Sequence, residues 1–211
     1  MNPSQMRAIL ITRRLLPLLS VPAGRTEKEL AEFIRLALQK FSAQPSFRTI
    51  VASGPRSALP HGRATGRRLC SGDLVVIDFG AVYNGYRSDI TRTFVVGKAS
   101  ARQKRLIRIV REAQRRAIKR VRAGIKSCEV DRAAREYISQ KGYGRYFIHT
   151  TGHGIGKKVH QGPKLSRKNP RRLKAGQIIT IEPGIYIKGW GGVRIEDMFE
   201  VTNRGCRKLT S

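Results

Sequence analysis

Two observations predict that this chain has an α+β fold, and a third indicates that it can bury a core. Helical patterns mix with β-rich segments, but not in the regular strand–helix–strand order of a parallel sheet. A two-residue turn at Asn84-Gly85, between Tyr83 and Tyr86, predicts an antiparallel hairpin. The 211 residues are 40% hydrophobic, which is enough for a buried core in spite of a formal net charge of +29. We therefore expect a folded protein built on antiparallel strands.

Three segments have the apolar period of a helix that packs on a core. The first runs from Thr26 to Phe41 and begins with Thr26 and Glu29 in capping-box spacing. The second covers residues 101–122, and its outer face is almost entirely Arg and Lys. The third runs from about Ser127 to Gly142. Helices therefore flank the strands in the order of the chain.

Five β-rich segments predict strands, namely RTIVAS, DLVVIDFG, RSDITRTFVVG, IITIEPGIYI and GVRIEDMFEVT. The turn at residues 84–85 sets the pairing of the second and third segments, so that Asp78 lies opposite Thr91 and Asp89 opposite Gly80. In the last segment Val193, Ile195, Phe199 and Val201 alternate onto the core face. Glu196 then lies beside Arg194 on the other face.

Residues 1–25 are expected to form a helical or partly disordered extension, with a targeting peptide as the alternative, and residues 26–211 the main domain. Cys70, Cys128 and Cys206 are odd in number and widely spaced, which argues against a disulfide framework and for a reducing, cytoplasmic location. The sequence contains no uninterrupted apolar run of membrane-spanning length, so we expect no membrane partner.

Acidic residues inside apolar strands are the conspicuous feature of a chain that has only 14 Asp and Glu. Asp78, Asp89, Glu182 and Glu196 all occur in such segments, where an unpaired carboxylate is costly. One acid alone would as readily form an ion pair with an arginine. Four that converge repel one another unless cations neutralise them, and two divalent ions would cancel four negative charges.

Three of the four histidines crowd into HTTGHGIGKKVH. His153 lies between two glycines, where the backbone can approach a ligand closely, and this favours a metal-binding role over a structural one. Oxygen-rich ligation with a single imidazole suits manganese better than a thiolate-type zinc site.

The motifs resemble the catalytic domain of the pita-bread metallopeptidases, specifically the Xaa-Pro aminopeptidases and Xaa-Pro dipeptidases. The resemblance runs from about Thr26 to the C-terminus and depends on VVIDFG, SDITRTF, GHGIG, TIEPGIY and VRIEDM in that order. It implies a pita-bread fold, which is a curved and mostly antiparallel sheet covered by helices on its outer face. Family enzymes are often dimers, so the resemblance leaves a homodimer open.

The resemblance also implies a role for each conspicuous polar residue. The implied metal ligands are Asp78, Asp89, His153, Glu182 and Glu196. The implied substrate contacts are His61, His149, His160 and Arg194. Hydroxide between two metal ions would be the nucleophile, and Glu182 would handle its proton. His160 would support the developing oxyanion, and His61 would lie near the scissile bond, so both are candidate catalytic residues together with Glu182.

Methionine aminopeptidases share the five ligands, but the flanking residues resemble the proline-directed enzymes. These flanks are His149, the GIYI run after Pro183, and Arg194. The resemblance therefore implies hydrolysis of the bond before a proline in the second position of a peptide. The implied cofactor is a pair of divalent ions, with Mn²⁺ preferred and Co²⁺ or Zn²⁺ as alternatives.

The charge supports an interpretation from a different class of protein. Residues 101–122 carry ten basic residues against the single acid Glu112, which is typical of a nucleic-acid-binding or ribosome-binding surface. The excess of 43 Lys and Arg over 14 acids could equally reflect an arginine-rich genome composition. Catalysis is favoured, because a complete set of metal ligands has little structural use without metal. Binding of nucleic acid or another polyanion could coexist with it.

Overall fold

The computed structural model describes residues 1–210, and within them every pair of neighbouring strands is antiparallel. The helices are α1 (Pro3–Leu15), α2 (Glu27–Lys40), α3 (Ala101–Arg120) and α4 (Ser127–Gln140). The strands are β1 (Gln44–Pro45), β2 (Ile50–Ser53), β3 (Leu74–Phe79), β4 (Ala81–Tyr83), β5 (Tyr86–Arg87), β6 (Ile90–Val95), β7 (Gly152–Gly154), β8 (Gln161–Leu165), β9 (Ile178–Ile181), β10 (Gly184–Ile187), β11 (Gly191–Arg194), β12 (Asp197–Val201) and β13 (Cys206–Lys208).

The strands form four small sheets rather than one continuous layer. Their strand orders are β2-β3-β6, β1-β4-β5, β10-β11 and β13-β12-β9-β7-β8. The predicted hairpin is confirmed, since Asp78 pairs with Thr91 and Tyr83 pairs with Tyr86. Asn84 and Gly85 both have positive φ, which is the backbone that a tight two-residue hairpin turn requires.

The helices cover the sheets in two pairs. α1 packs over β4 and β5 and α2 packs over β1 and β2, and their apolar faces share one core with β3, where Phe79 is a fully buried side chain. α3 packs over β9, β10 and β11 and α4 packs over β8, and their apolar faces share one core with β12, where Phe199 is fully buried. Thr26 caps α2 in the predicted capping box with Glu29. Each helix pair therefore buries one half of the sheet structure, and the site lies between the halves.

Three of the five predicted strands are interrupted in the structure, and each interruption lies at an acid. The third segment breaks at Asp89 between β5 and β6, the fourth at Glu182 between β9 and β10, and the fifth at Glu196 between β11 and β12. The prediction of continuous strands was wrong there. At two of the breaks the backbone N–H donates a hydrogen bond to a residue outside the paired strands. The Glu182 N–H donates to the Thr151 carbonyl, and the Glu196 N–H donates to the Thr91 carbonyl.

None of the helices described between residues 1 and 210 has the length and apolar character needed to span a bilayer.

Candidate metal centre

The nine site residues predicted from the sequence line a single cavity of about 420 Å³. They are His61, Asp78, Asp89, His149, His153, His160, Glu182, Arg194 and Glu196. β3 carries the first acid and β7 carries the central histidine, while the other three acids occupy the strand breaks. Since these elements come from both halves of the fold, the cavity forms only when the halves pack together.

The five predicted ligands converge on one another. His153 Nε2 lies 3.3 Å from Glu182 Oε1 and 3.8 Å from Asp89 Oδ2. One ligand atom each from Asp89, His153 and Glu196 lies within 4.8 Å of the others, and all three residues are buried. Asp78 faces the same cavity from β3. This donor set, four carboxylates and one imidazole, is the kind that binds Mn²⁺ or a similar divalent ion.

Three buried carboxylate oxygens in the cavity lack any hydrogen-bond partner within residues 1–210: Asp78 Oδ1, Asp89 Oδ1 and Glu196 Oε1. Buried acids elsewhere in the chain are fully satisfied. The Glu27 carboxylate accepts bonds from Ser53, Thr65 and Arg56, and that of Asp197 from Arg92, Gln114 and Thr210. The chain has many arginines, yet none of them pairs with these three oxygens. Buried carboxylate oxygens without partners therefore indicate that a cation completes this site.

Without bound metal, burial disfavours the charged forms of the acids and of His153 in the cavity. Burial raises the pKa of Glu182 to about 8. Burial, reinforced by the neighbouring carboxylates, raises the pKa of both Asp89 and Glu196 well above the ordinary range. Burial also lowers the pKa of His153 to about 4, which keeps its imidazole neutral. A neutral imidazole is a metal ligand, and divalent cations would favour ionised carboxylates.

Arg194, which the resemblance implies as a substrate contact, donates hydrogen bonds to side chains of the site itself. Its Nη2 donates to Asp78 Oδ2 at 2.7 Å, and its Nη1 donates to the Tyr186 hydroxyl at 2.8 Å. Its Nε lies 3.2 Å from the hydroxyl of Thr91, which in turn donates to Glu196 at 2.7 Å. The guanidinium therefore orients one carboxylate directly and reaches a second through Thr91.

Tyr186 takes part in the site, although it is not among the residues predicted from the sequence. Its buried hydroxyl lies 2.8 Å from His149 Nε2 and also accepts the bond from Arg194. Burial raises the pKa of this phenol to about 12, so the hydroxyl keeps its proton. The available signal was its position in TIEPGIY, four residues after Glu182.

The other two histidines lie at the cavity wall. His160 stacks edge-to-face on His153, with ring centroids 4.5 Å apart, and His61 is exposed beside Pro60.

The helix α4 supports the segment that carries the histidines. Asp131 of α4 accepts hydrogen bonds from Thr151 and is paired with Arg135. That buried pair holds the segment that carries the histidines, and sequence reasoning missed it.

Buried carboxylates and an imidazole around one cavity define a protein that binds divalent metal. Comparison with known proteins identifies which kind. Residues 6–203 match the model of metallopeptidase family M24. A curated Xaa-Pro dipeptidase of Pyrococcus furiosus is 49% identical over 191 residues, which are 90% of this chain and 55% of that protein. The chain belongs to metallopeptidase family M24.

Solved structures give the same answer and confirm the predicted pita-bread fold class. The prolidase from Pyrococcus furiosus superimposes with a TM-score of 0.96 at 45% identity, covering 99% of this chain and 63% of that one. An X-Pro aminopeptidase from Thermotoga maritima superimposes with a TM-score of 0.94 at 44% identity, covering 99% and 59%. The chain spans little more than half the length of the curated relatives it matches.

Proposed function

We propose that this chain hydrolyses the peptide bond before proline in short peptides whose second residue is proline, and that it requires divalent metal to do so. The observation that carries the proposal is the set of three buried, unpartnered carboxylate oxygens beside His153. The named activities of its relatives, Xaa-Pro dipeptidase and X-Pro aminopeptidase, supply the substrate class.

The metal ions would be held by Asp78, Asp89, His153, Glu182 and Glu196, two ions being the number that neutralises four carboxylates. When bound, such ions lower the pKa of a water molecule and polarise the scissile carbonyl. We propose Mn²⁺ as the native ion because the donors are mostly oxygen, with Co²⁺ and Zn²⁺ as the alternatives.

The residues around the ligands would position the peptide and move its protons. The Glu182 carboxylate, 3.3 Å from His153 Nε2, is our candidate for carrying the proton to the leaving nitrogen. His160 and His61 stand at the cavity wall, where they would contact the carbonyl that becomes the oxyanion. Tyr186 holds the His149 ring at its Nε2, so that this imidazole would face the substrate in a fixed orientation.

Proline recognition would depend on apolar contact. The amide nitrogen of a proline residue carries no hydrogen, so the enzyme cannot identify it by accepting a hydrogen bond. Phe47, Ile50 and Pro60 line the same cavity as the ligands and supply the apolar surface that a pyrrolidine ring needs. A volume of about 420 Å³ is at the small end of ligand pockets, which suits a peptide of few residues.

The test is release of the first residue from Xaa-Pro dipeptides and from longer Xaa-Pro peptides by Mn²⁺-loaded protein. We expect hydrolysis by the unmodified chain and its loss in an Asp89→Asn variant, while Glu136→Gln, a change at an exposed acid of α4, retains it. The two peptide lengths distinguish dipeptidase from aminopeptidase activity. Folded, metal-loaded protein that cleaves Met-Ala peptides but leaves Xaa-Pro peptides intact would place it with the methionine aminopeptidases instead.

We further propose that the protein works in the cytoplasm, and the resemblance to family enzymes that are often dimers leaves a homodimer open. Cys70, Cys128 and Cys206 are all free thiols, which suits a reducing compartment. Light scattering of the purified chain tests the dimer, and a monomeric mass would overturn it.

A further inference from the structure

The outward face of α3 is a basic surface that the peptidase function does not use. Nine of its twenty residues are Arg or Lys, and all nine are exposed. They are Arg102, Lys104, Arg105, Arg108, Arg111, Arg115, Arg116, Lys119 and Arg120. We propose that this basic face binds nucleic acid through the phosphate backbone, without reading the base sequence.

α3 carries a larger excess of basic residues than any other helix, although α1 also has three arginines and no acid. α2 has three basic and three acidic residues, and α4 has two basic and three acidic residues. The single acid of α3 is Glu112, which pairs with Arg115 and Arg116. A general excess of arginine in the chain would have given α2 and α4 a net positive charge as well, and neither helix has one. The difference between them therefore points to a role for α3 itself.

Repulsion among the basic side chains of this face destabilises α3. Arg108 and Arg111, and then Arg111 and Arg115, are three or four residues apart, where like charges repel. Lys119 and Arg120 lie in the last turn, where they stabilise the helix dipole, but that effect does not extend to the earlier turns. Within residues 1–210 no acid pairs with Arg108 or Arg111. A polyanion would relieve this repulsion.

Further exposed basic residues lie near the C-terminal end of α3, namely Arg122, Lys126, Arg171 and Arg172. Backbone contacts join the two segments that carry them, since Lys126 and Arg172 form a β-bridge and the Gly124 N–H donates to the Leu173 carbonyl at 2.8 Å. Twenty helical residues span about 30 Å, the length of about nine base pairs. A duplex laid along the helix would present phosphates to several guanidinium groups at once.

The chemistry of the surface favours nucleic acid over a membrane. An interfacial helix needs an exposed apolar face, whereas the apolar stripe of α3 is buried against the sheets, with Leu106 and Val110 in the core. Seven of the nine basic residues are arginines, whose planar fork matches phosphate oxygens. Trp190 and Tyr137 already lie beneath Arg102 and Arg116, at 4.3 and 4.4 Å, which favours phosphate contact over base stacking.

The experiment uses the full, Mn²⁺-loaded chain and a fluorescent DNA duplex of about 20 base pairs in an anisotropy titration over a range of salt concentrations. The test variant combines Arg108→Gln, Arg111→Gln and Lys119→Gln, in which glutamine keeps the helix propensity. A control variant removes three charges from other helices through Arg7→Gln, Lys28→Gln and Lys40→Gln, at residues that are all exposed. Circular dichroism checks that both variants are folded.

We expect the test variant to raise the dissociation constant about ten-fold or more, and to reduce the slope of log affinity against log salt by about 2 to 3. The control variant should stay within about three-fold of the unmodified chain. Failure of the unmodified chain to bind at low salt, or an equal loss in both variants, would overturn the proposal. Equally tight binding to phosphatidylglycerol vesicles would overturn the choice of nucleic acid. Xaa-Pro hydrolysis is a separate readout, and its failure would leave this result unaffected.

Discussion

Replacing Glu182 by glutamine should stabilise the metal-free protein while it abolishes metal-dependent activity. Burial raises the pKa of this carboxyl from 4.5 to about 8. Between those values the folded state binds more protons than the unfolded state, so the free energy of unfolding falls as the pH rises. For Glu182 alone, the cost to the metal-free fold is about 1 kcal/mol at pH 5 and about 4 kcal/mol at pH 8. Glutamine cannot ionise and removes this cost.

The assay is urea unfolding in EDTA at pH 5 and pH 8. Between the two pH values the unmodified chain should lose about 3 kcal/mol more stability than Glu182→Gln. Added Mn²⁺ should restore the stability of the unmodified chain at pH 8, since a ligand that binds only the folded state stabilises it. The exposed control Glu136→Gln should follow the unmodified chain. Equal losses for Glu182→Gln and the unmodified chain would refute the reasoning.

Three further substitutions probe the surroundings of the site. Tyr186→Phe leaves His149 and Arg194 without their shared hydroxyl, so kcat/KM on an Xaa-Pro peptide should fall about ten-fold; an unchanged value would contradict that network. Asp131→Asn removes the counterion of buried Arg135 and should lower the free energy of unfolding in urea by about 3 kcal/mol. The same experiment on Phe199→Ala should show a loss of about 3 to 5 kcal/mol from the core cavity it creates. Losses below about 1 kcal/mol would contradict either assignment.

Local signals in the sequence predicted the parts of the structure that local physics decides. The turn at Asn84-Gly85 needs positive φ at both residues, and it sets the register that places Asp78 opposite Thr91. Thr26 and Glu29 predict the start of α2 in the same way. The acids inside apolar segments indicated the carboxylates of the cavity, because a buried carboxylate is costly unless it has a partner.

The parts that sequence reasoning missed depend on contacts between distant segments. The strand breaks at Glu182 and Glu196 are invisible in continuous apolar runs, because the backbone bonds that replace the ladder come from Thr151 and Thr91. The role of Tyr186 likewise follows from where β10 and β11 place it against His149. Neither hydrophobic periodicity nor a short motif indicates contacts of this kind between distant segments.

We propose that five side chains from both halves of the fold hold a pair of divalent cations. Elemental analysis of protein dialysed after loading with Mn²⁺ tests it most directly. We expect two metal ions per chain in the unmodified protein and a loss of bound metal in Asp89→Asn. A folded chain that retains no metal, or a variant that retains as much as the unmodified protein, would contradict it.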